Sequence, residues 1–259
     1  MLARIAPAAL IVAIGSVSVL ADTFVYKWDD GSGNVNVGPP SSFSADMLWG
    51  NYFTVEPGAE QIFELRVGLG TNYPRDAFNQ PLPLTLYLFN DPDNDGDPTN
   101  AVPVATTTII PTVFTQSGFN IAPIEPTTVS GGFFVAARVF ARAGIDRPAR
   151  LDPQPTGGEN AWLFYADVID PDDLGSAPFF TTMDNPDFVP IFGVWMVRAV
   201  GQPKPPCGDV NGDGVVDLAD LNIVLAAFGV SDAGDVTGDG QTNLADLNAV
   251  LATFGQRCD

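Results

Sequence analysis

Residues 209–229 and 235–255 are near-copies of one segment, DVNGDGVVDLADLNIVLAAFG and DVTGDGQTNLADLNAVLATFG. Fifteen of the twenty-one aligned positions are identical at a fixed offset of 26 residues, which marks an internal repeat. This end of the chain must therefore build one unit twice. Each copy opens with oxygen-bearing side chains at every second place. Counting from the first Asp, positions 1, 3, 5, 9 and 12 are Asp209, Asn211, Asp213, Asp217 and Asp220, then Asp235, Thr237, Asp239, Asn243 and Asp246. Position 6 is Gly214 and Gly240, and position 7 offers the main-chain carbonyls of Val215 and Gln241. Alternating oxygens around a sharp glycine turn are the pattern of the twelve-residue calcium loop, here closed by Asp at position 12 instead of a bidentate Glu. The competing reading is an acidic, solvated loop. Charge favours the cation: four carboxylates in the first loop and three in the second repel one another at close range unless something neutralises them. Two calcium ions are expected, with folding of the segment coupled to their binding.

A helix is expected after each loop. Leu221, Val224, Leu225 and Phe228 fall at i, i+3, i+4 and i+7, and Leu247, Val250, Leu251 and Phe254 repeat the spacing. Core packing accounts for these stripes without any partner. Gly229 and Gly255 suit left-handed helix ends. No helix is expected before the first loop, because Gln202-Pro203-Lys204-Pro205-Pro206 cannot form one. Each copy is thus half an EF-hand, a loop with its exit helix.

A duplicated half EF-hand of this length resembles the type I dockerin domain, over residues 207–258. Dockerins bind cohesin domains and so attach proteins to a scaffold. Positions 10 and 11, typically Ser/Thr recognition pairs in cellulosomal dockerins, are Leu218-Ala219 and Leu244-Ala245 here. The resemblance is closer to the Cys-flanked variants of secreted bacterial proteins, which implies a cohesin-like or other surface protein as partner. The chain's two cysteines, Cys207 and Cys258, flank the repeat. A two-fold related pair of half-hands brings its ends together, so a disulfide is expected between them; two free thiols are the alternative.

The formal net charge of −20 repels nucleic acid and anionic membranes. Residues 1–21 place Arg4 before an apolar run that ends Val19-Leu20-Ala21, which predicts a secretory signal peptide cleaved before Asp22. A membrane anchor is the competing reading, but the run is short and Pro7 interrupts it. A secreted protein at or beyond the cell surface, without membrane insertion after cleavage, is expected.

Residues 22–200 predict a β-sandwich of jelly-roll type, since short runs rich in Val, Thr, Phe and Tyr alternate with Pro/Gly/Asn/Asp clusters. Strands are expected at 23–28, 51–55, 61–69, 82–89, 102–110, 133–140, 162–165 and 191–200. Leu84, Leu86 and Leu88 should share one face, as should Phe133, Val135, Ala137 and Val139. Residues 201–206 are the expected linker and 207–259 the calcium-binding domain. Asp91 to Asp97 carries Asp at every second place, but position 12 would be Val102, so it is either a compact calcium turn or a solvated hairpin loop.

No histidine occurs, which excludes Ser-His-Asp and Cys-His triads and His-ligated zinc. No Walker loop or dinucleotide fingerprint is present. A carboxylate-pair glycosidase needs no histidine and stays open. Glu60 and Glu64 share a strand face by period two, but nothing in their context sets them apart and surface solvation explains them. Trp49, Tyr52, Tyr73 and Trp162 near expected loops could form a sugar platform, with core packing as the alternative, whereas Trp28 and Trp195 look like core. Three readings follow. The sandwich is displayed by a docking tail, or it is a polysaccharide-binding or glycan-hydrolysing component of an assembly, or the tail is a stable cap without a partner.

Overall fold

A computed structural model describes residues 23–153, 156–186 and 192–258. The expected signal peptide lies outside the described residues. Among those residues the chain is mainly β. The first strands are β1 Phe24–Tyr26, β2 Val35–Val37, β3 Ala45–Thr54, β4 Gln61–Val67 and β5 Leu69–Asn72. There follow β6 Leu84–Asp91, β7 Val102–Ile109, β8 Asn120–Thr128, β9 Gly132–Ala141 and β10 Arg147–Asp152. The last are β11 Ala161–Ala166, β12 Phe179–Thr182, β13 Val194–Trp195 and β14 Val197–Gln202, before helices α1 Leu218–Ala227 and α2 Leu244–Ala252. No helix among the described residues is long and apolar enough to cross a membrane.

The strands form three antiparallel sheets, ordered β1-β14-β4-β8, β13-β10-β2 with β5 also on β10, and β12-β11-β3-β9-β6-β7. They enclose one main core, consistent with a β-sandwich. The six-stranded sheet supplies one wall through alternate side chains: Leu84, Leu86 and Leu88 of β6, Met47 and Trp49 of β3, and Phe133, Val135, Ala137 and Val139 of β9. Both predicted faces therefore form as expected. The opposite face of this sheet is also covered. Leu48, Phe89, Phe134 and Phe164 pack there against Ile169, Leu174 and Ala177 of the connection after β11. That double burial leaves β3 and β9 buried at nearly every position.

Several strands were not legible. β8 carries Pro123 and Pro126, which argue against a strand, but it lies at the edge of its sheet, where a missing N–H is tolerated. β10 contains Arg150, 2% exposed, whose guanidinium donates to the carbonyls of Leu69, Gly33 and Phe114. A charged side chain in an inner strand is stable here because its donors are satisfied by backbone. β2 and β12 are too short to carry a pattern, and β3 begins at Ala45, ahead of the expected start at Asn51. The expected strand over 191–200 opens at Ile191, outside the described residues. Its remainder divides into β13 and β14, and β14 pairs with β4 through Gln202, so Gly201 and Gln202 belong to the sheet and not to the linker.

Candidate metal-binding repeat

The repeat packs as two interlocked halves. Val216, Val224 and Val250 form its small core, with Val210, Leu221, Val236 and Leu247 partly buried around them. The Gly229 N–H donates to the Thr242 carbonyl at 2.9 Å, and the Gly255 N–H donates to the Val216 carbonyl at 2.8 Å. These are the same bond made twice, since the residues differ by the repeat offset. A β-carbon on Gly208 would lie 2.5 Å from Val250 Cα, and one on Gly234 would lie 2.8 Å from Val224 Cα. Each copy thus leans its lead-in backbone on the other's helix. Sequence reasoning missed this contact, although both copies place Gly directly before the first Asp of the loop.

Within each loop the backbone points N–H groups at carboxylates. Asp209 accepts from Gly212 at 2.8 Å, Asp213 at 3.1 Å and Gly214 at 2.8 Å; Asp235 accepts from Gly238, Asp239 and Gly240 at 2.8, 3.1 and 2.7 Å. Gly214 and Gly240 have φ of 86° and 84°, the left-handed turn the spacing required. Position 12 folds back across the loop. Asp220 accepts from Val210, Asn211 and Asp217, and Asp246 accepts from Val236, Thr237 and Asn243. Positions 9 and 12 also start the helices: Asp217 with Asp220, and Asn243 with Asp246, form capping boxes. Asp220 and Asp246 are fully buried. Burial alone would raise their carboxyls, but the N–H donors outweigh it and hold both below the ordinary carboxylate range.

The remaining positions are exposed or half-buried groups around these anchors. The Asn211 amide donates to Asp213 at 3.0 Å, and the Asn243 amide to Asp239 at 2.9 Å. Thr237 donates its hydroxyl to Asp246, Val215 bridges Arg257 and the Gln241 N–H donates to Asp239. In the second loop, carboxylate oxygens of Asp235, Asp239 and Asp246 lie within 4.8 Å of one another. An all-oxygen set on a glycine turn fits a hard cation such as calcium better than a thiophilic or imidazole-binding metal. Cys207 and Cys258 are joined as a disulfide, Cα to Cα 6.0 Å, as expected.

Only half of each apolar stripe is core. Leu221, Val224, Leu247 and Val250 pack inward, while Leu218, Leu225 and Phe228 of the first copy and Leu244, Leu251 and Phe254 of the second are between 43% and 65% exposed. The expectation that core packing accounts for Leu225, Phe228, Leu251 and Phe254 is thus corrected. A two-helix unit buries the side where the helices meet and no more.

Elsewhere, carboxylates of Asp91, Asp93 and Asp95 also lie within 4.8 Å of one another. Asp91 is buried and accepts from the Tyr52 hydroxyl at 2.6 Å, and Asp97 instead caps the short turn of helix at Pro98–Asn100. Glu60 accepts from the Gly58 N–H, and Glu64 pairs with Arg66 at 2.5 Å. Of the four aromatics named for a sugar platform, Trp49, Tyr52 and Tyr73 are buried and only Trp162 is half-buried. Trp195 is core as expected, whereas Trp28 is 42% exposed, stacked on Phe53 with its indole N–H on the Tyr52 carbonyl. No family model and no curated protein matches the chain.

Proposed function

We propose that the chain is a secreted protein whose C-terminal repeat is a calcium-ordered docking module of dockerin type, carrying the sandwich to a cohesin-like or other surface protein. The observation that carries this reading is the duplicated exposed face, Leu218, Leu225 and Phe228 on α1 matched by Leu244, Leu251 and Phe254 on α2. A unit that spends its few apolar residues on solvent-facing positions, and does so twice, fits one that meets a partner. The cation would be held in the first loop by Asp209, Asn211, Asp213, the Val215 carbonyl, Asp217 and Asp220, and in the second by their counterparts from Asp235 to Asp246. Calcium neutralises the crowded carboxylates and fixes the helix starts, and the chain's own N–H donors orient the ligands in advance.

The polysaccharide reading loses three of the four aromatic side chains it named to the core. The test has two arms. Calorimetry and far-ultraviolet circular dichroism of the purified chain should report two calcium ions and a helical gain that chelator reverses. Surface association should fall on deletion of residues 207–259 and on the double change Leu225→Asp, Leu251→Asp. No calcium response, or undiminished association of both variants, overturns the reading.

A further inference from the structure

The main core is incomplete at one end of the sandwich, and the gap has a defined chemistry. It lies between β2 and β10 on one side and β11 and β12 on the other, where β2 and β12 are both terminal strands of their sheets. The cavity is about 630 Å³, inside the usual range for small-molecule sites. Its apolar lining is chiefly Val35, Val37, Leu163, Phe179 and Met183, with the exposed Phe43 at its mouth. One charged group lines it.

Arg147, half-buried at the start of β10, lines the cavity; two places on, past a register shift against β5, Ala149 and Leu151 are wholly buried in the core. It donates one hydrogen bond, to the Pro39 carbonyl at 3.2 Å. It has no ion-pair partner among the described residues, in a chain with 31 acidic and 11 basic residues. The adjacent carboxylate, Asp146, is held by Arg142 through its N–H, Nε and Nη2. The approach of Pro39 depends on Gly38, where any β-carbon would strike the Asp146 carbonyl. A guanidinium on an apolar wall, with one donor bonded among the described residues, matches one anionic oxygen pair attached to an apolar body.

We propose that this cavity binds an amphipathic monoanion, an apolar chain or ring system bearing a single carboxylate. The proposal concerns the sandwich and is independent of the docking reading. The net charge of −20 repels anions at long range, but at about 0.15 M salt the field is screened beyond about 8 Å, which leaves the nearby guanidinium to decide.

The test uses the purified chain with 1-anilinonaphthalene-8-sulfonate as the fluorescent probe, competed by decanoate or by decan-1-ol. Decanoate should displace the probe at a concentration about tenfold lower than decan-1-ol, as befits one charge-assisted contact. Arg147→Met should abolish that preference, and Arg147→Lys should keep part of it. Val37→Trp, which fills the cavity from the half-buried strand β2, should weaken both competitors. Near-ultraviolet circular dichroism identifies any variant that has lost its fold, and the remaining variants then carry the comparison. Equal displacement by acid and alcohol, an unchanged preference in Arg147→Met, or an unchanged response in Val37→Trp overturns the proposal, as does a chain that binds no probe.

Discussion

Gly234 runs so close to Val224 that a methyl group in place of its hydrogen would sit 2.8 Å from the valine Cα. That space holds helix backbone and, at 2.9 Å, the methyl of the buried Thr242. Gly234→Ala should therefore push the two halves of the repeat apart and destabilise it by about 1–3 kcal/mol, the usual cost of overpacking. Gly208→Ala, at the equivalent place against Val250, should do the same. Urea unfolding followed through the helical signal measures both.

Asp246→Ala removes the acceptor of three backbone N–H groups and the Thr237 hydroxyl from a fully buried position. Leaving such donors unpaired costs about 1–3 kcal/mol each before relaxation, so the second half of the repeat should lose its helix. The amide exchange rates of α2 should rise far more than those of the sandwich strands.

Tyr52→Phe deletes the donor to Asp91. Burial raises the Asp91 carboxyl, and the hydroxyl is the largest of the hydrogen bonds that more than offset this and hold it low. A carboxyl depressed in the folded chain contributes stability that is present above its unfolded pKa, about 4, and lost as pH falls through the folded value. The variant should therefore unfold at a higher pH on acid titration, and should cost about 1–3 kcal/mol at neutral pH.

Opening the disulfide tests the repeat separately from the sandwich. The bridge spans 51 residues, which corresponds to about 4 kcal/mol of chain-entropy stabilisation. Cys207→Ser with Cys258→Ser should lower the urea midpoint of the helical transition and leave that of the strands in place.

The parts of this molecule that could be read in advance are those whose signal is local. The loops, the helices behind them and the cysteine pairing follow from residues a few places apart, repeated at a constant offset. The inward faces of β6 and β9 follow from simple alternation. What escaped reading depends on distant partners. Arg150 looks like a surface residue until the carbonyls of Gly33, Leu69 and Phe114 are brought around it. Trp49 and Tyr52 look like loop-edge aromatics until β9 and β11 close on either side of β3. Leu225 and Phe228 match Leu221 and Val224 in spacing, and only the small size of the two-helix core leaves them outside it.

The sulfur bridge joins a residue directly after the proline-rich connector to one beyond the last helix. Both helices therefore sit inside a covalent ring. Tension between the sandwich and the chain at Cys258 travels across the bridge and bypasses the ring, while a pull on either helix is shared by two strands of peptide that leave from the same point. Load applied at Cys258 therefore cannot unravel the two helices from that end, and their unfolding under force has to begin inside the ring.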